Sequence, residues 1–182
     1  MVLLSFQEFV DVIVMTFILS YIFSDMLPSA RRGSFEALWT SALAVAPGII
    51  LHEFAHKFVA LLFGFGAVFS AAYPFLMVGV LLKFVGSSFI FFVPGYVSFT
   101  CPGGCTTGLP IALIAFVGPA MNGILYLWAR WYEPRVKTRR GLILVRATRK
   151  LNGFLFIFNM IPIPLFDGWK VYSGLWAWLM GL

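Results

Sequence analysis

The chain has two histidines, and both fall in one pentapeptide, His52-Glu53-Phe54-Ala55-His56. Residues four apart share a helix face, so two imidazoles at this spacing can grip one divalent metal while the Glu53 carboxylate is offset toward the water beside it. The chemistry this predicts is metal-dependent hydrolysis. Nitrogen and oxygen donors suit Zn²⁺, and iron or cobalt suit the same set. Zinc hydrolases commonly take three protein ligands and leave a fourth position for water. Without a third histidine, the remaining ligand must be a cysteine or one of six acids: Glu8, Asp11, Asp25, Glu36, Glu133 or Asp167. Asp167 stands apart because it follows an apolar helix broken by Pro162 and Pro164, where unwound backbone can aim it inward; an ordinary turn Asp before Gly168 is the plainer alternative. The two cysteines, Cys101 and Cys105, share a Cys-Pro-Gly-Gly-Cys turn that suits a loop disulfide or two unpaired thiols better than a zinc site of its own.

The surroundings of these residues are those of a lipid environment. Of 182 residues, 61% are hydrophobic and 11% charged, against about a quarter charged in an ordinary soluble domain. The length accommodates a single membrane-embedded domain over residues 1–182, with no separate soluble module. Eight of the thirteen Lys and Arg lie between Arg130 and Lys150. Basic residues beside spans contact lipid headgroups and set orientation, so no nucleic-acid partner is expected. Residues 3–23 lack a basic n-region and a small-residue cleavage site, and read as a retained helix.

The elements that must position the pentapeptide follow from hydropathy. Residues 3–23 form a first segment in which Glu8 and Asp11 share a face, facing either the bundle interior or, as their place near the start favours, the interface. A second segment, 35–65, carries the pentapeptide in its latter half, with a tilt or kink near Pro47 and Gly48. His52, Glu53, His56 and Lys57 would be expensive against lipid, so a polar cavity is expected, with snorkelling as the alternative for Lys57. Residues 66–98 read as one span, two short spans or a re-entrant element, and Ile90 to Thr100 as extended backbone. Residues 107–129 form a clear span, and 142–160 a helix ending at Pro162. The segment from Leu165 or Trp169 onward spans only if tilted. Placing Arg31 and Arg32 on the same side as the Arg130–Lys150 cluster requires an even number of crossings between them, so 66–98 should contribute none or two. The expected fold is an all-α polytopic membrane protein of about six transmembrane helices, with a re-entrant or short extended element after the pentapeptide helix.

Three ordered motifs resemble one family. Asn159-Met160-Ile161-Pro162-Ile163-Pro164-Leu165-Phe166-Asp167-Gly168 is similar to the NxxPxPxxDG signature of the site-2 protease family of intramembrane zinc metalloproteases. His52 to His56 fits that family's HExxH, and Gly118-Pro119-Ala120-Met121-Asn122 its GPxxN. The resemblance implies one zinc ion held by His52, His56 and Asp167, with Glu53 as the catalytic carboxylate. It also implies Asn122 as a polar group serving substrate or the developing oxyanion, although an intramembrane amide at that position can equally cross-bond two helices. It further implies extended backbone that holds substrate by strand addition, a transmembrane protein as substrate, regulated intramembrane proteolysis as the setting, and a multi-pass location in the cell membrane. The alternative from another class is a metal-binding membrane transporter or chaperone without protease activity. An inactive helix-binding member is a third reading, disfavoured because Glu53 and all three ligand candidates are present.

Overall fold

A computed structural model of the chain describes residues 4–25, 34–87, 93–101 and 108–181. Helix α1 (Phe6–Phe23) starts at a capping box: the Glu8 N–H donates to the Ser5 hydroxyl, and the Ser5 N–H donates to the Glu8 carboxylate at 2.7 Å. Helix α2 (Phe35–Leu62) is capped by the Ser34 hydroxyl and runs through Pro47 as one helix of 28 residues, about 42 Å long at 1.5 Å per residue. It leads into strand β1 (Gly66–Ala71), short helix α3 (Tyr73–Phe84) and strand β2 (Gly95–Thr100). Helix α4 (Leu109–Tyr132), a 3₁₀ turn (Glu133–Arg135), α5 (Arg139–Asn159) and α6 (Asp167–Met180) complete the order.

The region after α2 is therefore not a single span. β1 and β2 pair antiparallel with Gly66 opposite Thr100 and Ala71 opposite Gly95, so the chain returns beside the point it left and the segment makes no net crossing. Extended backbone was expected over Ile90 to Thr100; β2 occupies its last part, and Ile90 itself lies outside the described residues. The strand at Gly66–Ala71 is the short extended element expected after the pentapeptide helix, and pairing with a segment nearly thirty residues away sets its bounds.

Three of the six helices among the described residues are long and apolar enough to cross a membrane: α1, α2 and α4 with its 3₁₀ extension. With the hydrophobic composition, they mark a membrane protein. The expectation of about six spans is not met by length and composition. α3 has 12 residues and α6 has 14, reaching about 18 and 21 Å against a hydrocarbon core of about 30 Å. α5 is long enough but carries Arg139, Arg140, Arg146, Arg149 and Lys150. Two of these, Arg146 and Arg149, pair with Glu133 on the preceding turn. Arg31, Arg32 and Cys105 lie outside the described residues, and with them the comparison of the two basic regions and the cysteine turn.

The core joins α1, α2, the hairpin, α3 and α4 through Met15, Leu19, Ile49, Phe69, Leu76 and Ile114. α4 lies between α2, α5 and α6, so it is the element against which the pentapeptide helix and the Asp167 segment are both registered. Glycines make the crossings close: a Cβ at Gly174 of α6 would lie 2.8 Å from the Gly108 carbonyl and 3.0 Å from the Ala112 nitrogen at the start of α4.

Candidate metal centre

The helical spacing of the pentapeptide does what its sequence predicts. His52 and His56 project from one face of α2, each about 6% exposed, and Glu53 from the adjacent face at 7%. Asp167 comes from the other end of the chain. α5 stops at Asn159, Pro162 and Pro164 hold the next residues in tight turns, and α6 restarts at Asp167 with its carboxylate in the first helical turn. A carboxylate at that position is favoured by the helix dipole. Gly168 permits the fold-back, since a Cβ there would lie 2.5 Å from the Met160 carbonyl oxygen.

These elements bring three atoms together. His52 Nε2 lies 3.1 Å from His56 Nε2 and 3.1 Å from Asp167 Oδ2, and His56 Nε2 lies 3.2 Å from the same oxygen. The protons on the two rings are accounted for on the far side. His56 Nδ1–H donates to the Ile114 carbonyl at 2.6 Å, and a carbonyl can only accept. His52 Nδ1 lies 2.6 Å from Asn122 Oδ1. Asn122 Nδ2 donates to the Gly48 carbonyl at 3.1 Å and to Asn152 Oδ1 at 2.8 Å, which fixes the Asn122 amide with its oxygen toward His52. Each neutral imidazole thus carries its proton on Nδ1 and presents a lone pair at Nε2. Two such lone pairs and a carboxylate oxygen, mutually just over 3 Å apart, repel one another unless a metal ion or a shared proton lies among them. The edges are close to the roughly 3.3 Å separating ligands of a tetrahedral site with bonds of about 2.0 Å. His52, His56 and Asp167 therefore fit a zinc ion in donor type, protonation and spacing, and they form the one three-ligand cluster of this kind among the described residues.

Space for the imidazoles comes from Gly118 on α4. A Cβ there would overlap the His56 ring and approach His52 Nε2 to 2.8 Å. Asn122, one turn further along α4, is wholly buried. Its amide is bonded to His52, the Gly48 carbonyl and Asn152, behind His52, and it does not line the cavity in front. Asn152 of α5, also wholly buried, is a part of the site that the sequence reading does not single out. Its signal is an amide in the apolar run of α5, where a buried polar group needs a partner. Gly48 admits it, because a Cβ at that position would lie 2.7 Å from Asn152 Oδ1.

The other acids lie elsewhere. Glu133 pairs with Arg146 at 2.8 Å and Asp25 with Lys83 at 3.4 Å, while Glu36 sits in the first turn of α2. Glu8 and Asp11 are buried against β1 rather than at an interface. Lys57 does not snorkel: its ammonium pairs with Glu8. In front of the three-atom cluster lies a cavity of ≈ 130 Å³, lined among others by Glu53, Gly95, Val97, Phe99, Asn159 and Lys170. It has room for several waters, and one wall is the side of β2 that has no neighbouring strand among the described residues.

No protein-family model matches the chain, and no solved structure matches it at a significant level. A protein of the archaeon Methanocaldococcus jannaschii that carries the provisional name of zinc metalloprotease is 30% identical over 196 aligned residues, covering 98% of this chain and 91% of the relative. At this identity and coverage the chain belongs to the family of that archaeal protein, named as a provisional zinc metalloprotease.

Proposed function

We propose that the protein is an intramembrane zinc metalloprotease of the site-2 protease type, a multi-pass protein of the cell membrane that hydrolyses peptide bonds in or near transmembrane segments of other membrane proteins. The observation that carries this reading is the convergence of the His52, His56 and Asp167 lone pairs beside Glu53 in a cavity bordered by β2, whose far side has no neighbouring strand among the described residues. His52, His56 and Asp167 would hold the zinc ion. Bound there, zinc supplies Lewis acidity that polarises a peptide carbonyl and brings the pKa of a water toward neutrality. Glu53, offset from the ligand face and open to the cavity, takes the proton of the attacking water and delivers it to the leaving nitrogen. Asn122 acts through His52, holding its proton on Nδ1 and leaving Nε2 free, as groups behind metal-binding imidazoles commonly do. A transmembrane helix hides its carbonyls in its own hydrogen bonds, so the scissile segment must unwind. The open side of β2 offers the freed backbone new partners by strand addition.

The test uses a single-span reporter protein tagged at both ends and co-reconstituted in liposomes with the zinc-loaded protein. Wild type is expected to cut the reporter within or beside its span. Glu53→Gln should bind zinc at the same stoichiometry and cut nothing. Full cleavage by Glu53→Gln would remove Glu53 from the chemistry. Zinc flux across the liposome with no cut reporter would favour the transporter reading instead.

A further inference from the structure

Two acidic side chains outside the metal centre are buried, and both are directed at backbone. Glu8 and Asp11 lie one helical turn apart on α1, 2% and 4% exposed. The Phe69 N–H donates to Glu8 Oε1 at 2.8 Å, and the Ala71 N–H donates to Asp11 Oδ2 at 3.0 Å. Phe69 and Ala71 are alternate residues of β1, so their amides leave the strand on the same side, away from β2. The carboxylates occupy the places at which a third strand would present its carbonyls.

The alternation of an antiparallel pair carries this across the hairpin. Opposed residues either exchange backbone bonds or both point them outward. Phe69 and Ala71 point outward to α1, so their partners Val97 and Gly95 point their N–H and C=O groups outward on the far side of β2. Val97 and Gly95, with Phe99 two residues on, line the cavity in front of His52, His56 and Asp167. One edge of the hairpin is thus closed by side chains; the other, whose residues line the cavity, has no neighbouring strand among the described residues.

The same carboxylates fix where that open edge stands. Glu8 Oε1 accepts both the Phe69 N–H and the Lys57 ammonium, and Lys57 is the residue after His56 on α2. Asp11 Oδ1 accepts the Tyr73 hydroxyl at 2.7 Å and the Gln7 amide at 2.9 Å, securing the start of α3. One oxygen therefore links the strand, the helix bearing both imidazoles, and α1.

We propose that Glu8 and Asp11 are positioning residues for the substrate strand: they act as a false third strand that closes the inner edge of β1, so that an extended peptide docks along β2 and meets the metal centre in one register. The proposal rests on the protease reading for its purpose, but the docking it requires can be measured without turnover. The probe is an extended apolar peptide carrying a photo-crosslinking phenylalanine analogue, offered to the zinc-loaded Glu53→Gln protein in micelles. Crosslinks should map to β2 and not to β1.

In Asp11→Ala and in the paired Glu8→Met/Lys57→Met variant, which removes both charges together, crosslinks should spread to β1 and peptide affinity should fall about tenfold. Hydrogen exchange at the Phe69 and Ala71 amides should rise. With Glu53 restored, KM for the reporter should rise more than kcat falls, the cut positions should broaden, and zinc should remain at one per chain. Asp11→Asn, which keeps an acceptor oxygen, should restore register. Crosslinks confined to β2 and unchanged cut positions in the Ala and Met variants overturn the proposal, as does a loss confined to kcat and zinc content. Failure of the peptide to dock on β2 while wild type still cuts the reporter overturns this inference alone. Docking on β2 with no cleavage overturns the protease reading alone.

Discussion

Gly118→Ala tests the metal centre with one methyl group. The added Cβ would overlap the His56 imidazole and press on His52 Nε2. His56 cannot swing aside freely, because its Nδ1–H is held by the carbonyl of Ile114, on the same helix as the new methyl and one turn before it. Relieving the overlap to ordinary contact requires a displacement of roughly 1 Å, whereas ligand distances in a metal site tolerate about 0.2 Å. The variant should lose one imidazole ligand. Structural zinc sites with four ligands bind with about 10–16 kcal/mol, or about 2.5–4 kcal/mol per ligand, so zinc affinity should fall by about two to three orders of magnitude. Gly123→Ala on the same helix is the control. Its Cβ meets Phe156 no closer than 3.4 Å, an ordinary contact, and the substitution raises helix propensity. Chelator competition in micelles, with zinc content by elemental analysis, reads both. A Gly118→Ala protein that holds zinc within about threefold of wild type would refute the placement of the two imidazoles against α4.

Two further outcomes follow from buried polar groups. Asn122→Leu removes the acceptor that fixes the His52 tautomer and should weaken zinc binding about 10–100-fold, whereas Asn152→Leu leaves the Gly48 carbonyl still orienting Asn122 and should weaken it less, by about fivefold; equal effects in the chelator assay would break the proposed order. Lys57→Met alone strands the Glu8 carboxylate in a dry site and should destabilise the fold by about 3–5 kcal/mol, while Glu8→Met/Lys57→Met should cost much less, as read by thermal or denaturant unfolding in micelles.

What was legible in the sequence is what local spacing dictates. Two imidazoles four apart on a helix, and an Asp just beyond a proline break, are short-range facts, and the structure brings all three together. The helices also appear near their expected ranges, α2 over Phe35–Leu62 and α4 over Leu109–Tyr132. What was not legible depends on partners distant in the chain. Glu8 and Asp11 near the head of an apolar segment look the same whether they meet headgroups or a strand sixty residues away. An extended element after the pentapeptide helix was legible, but its bounds at Gly66–Ala71 are set by pairing with Gly95–Thr100. The orientation of the Asn122 amide is set by the Gly48 carbonyl and by Asn152, thirty residues on. Span count fails for a related reason: an apolar run such as α3 is hydrophobic enough for lipid yet too short to cross it.

The 111 residues separating His56 from Asp167 have a consequence in time. On the ligand assignment proposed above, a growing chain carries the pentapeptide helix well before it carries the third ligand, and at about 5–20 residues per second the interval is about 5–20 s. Throughout it, α2 can present two imidazoles and Glu53 without the set that makes them hydrolytic. The proline-broken segment that delivers Asp167 is therefore the last part of the metal site to be made, and the three-ligand set is complete only once α6 has begun.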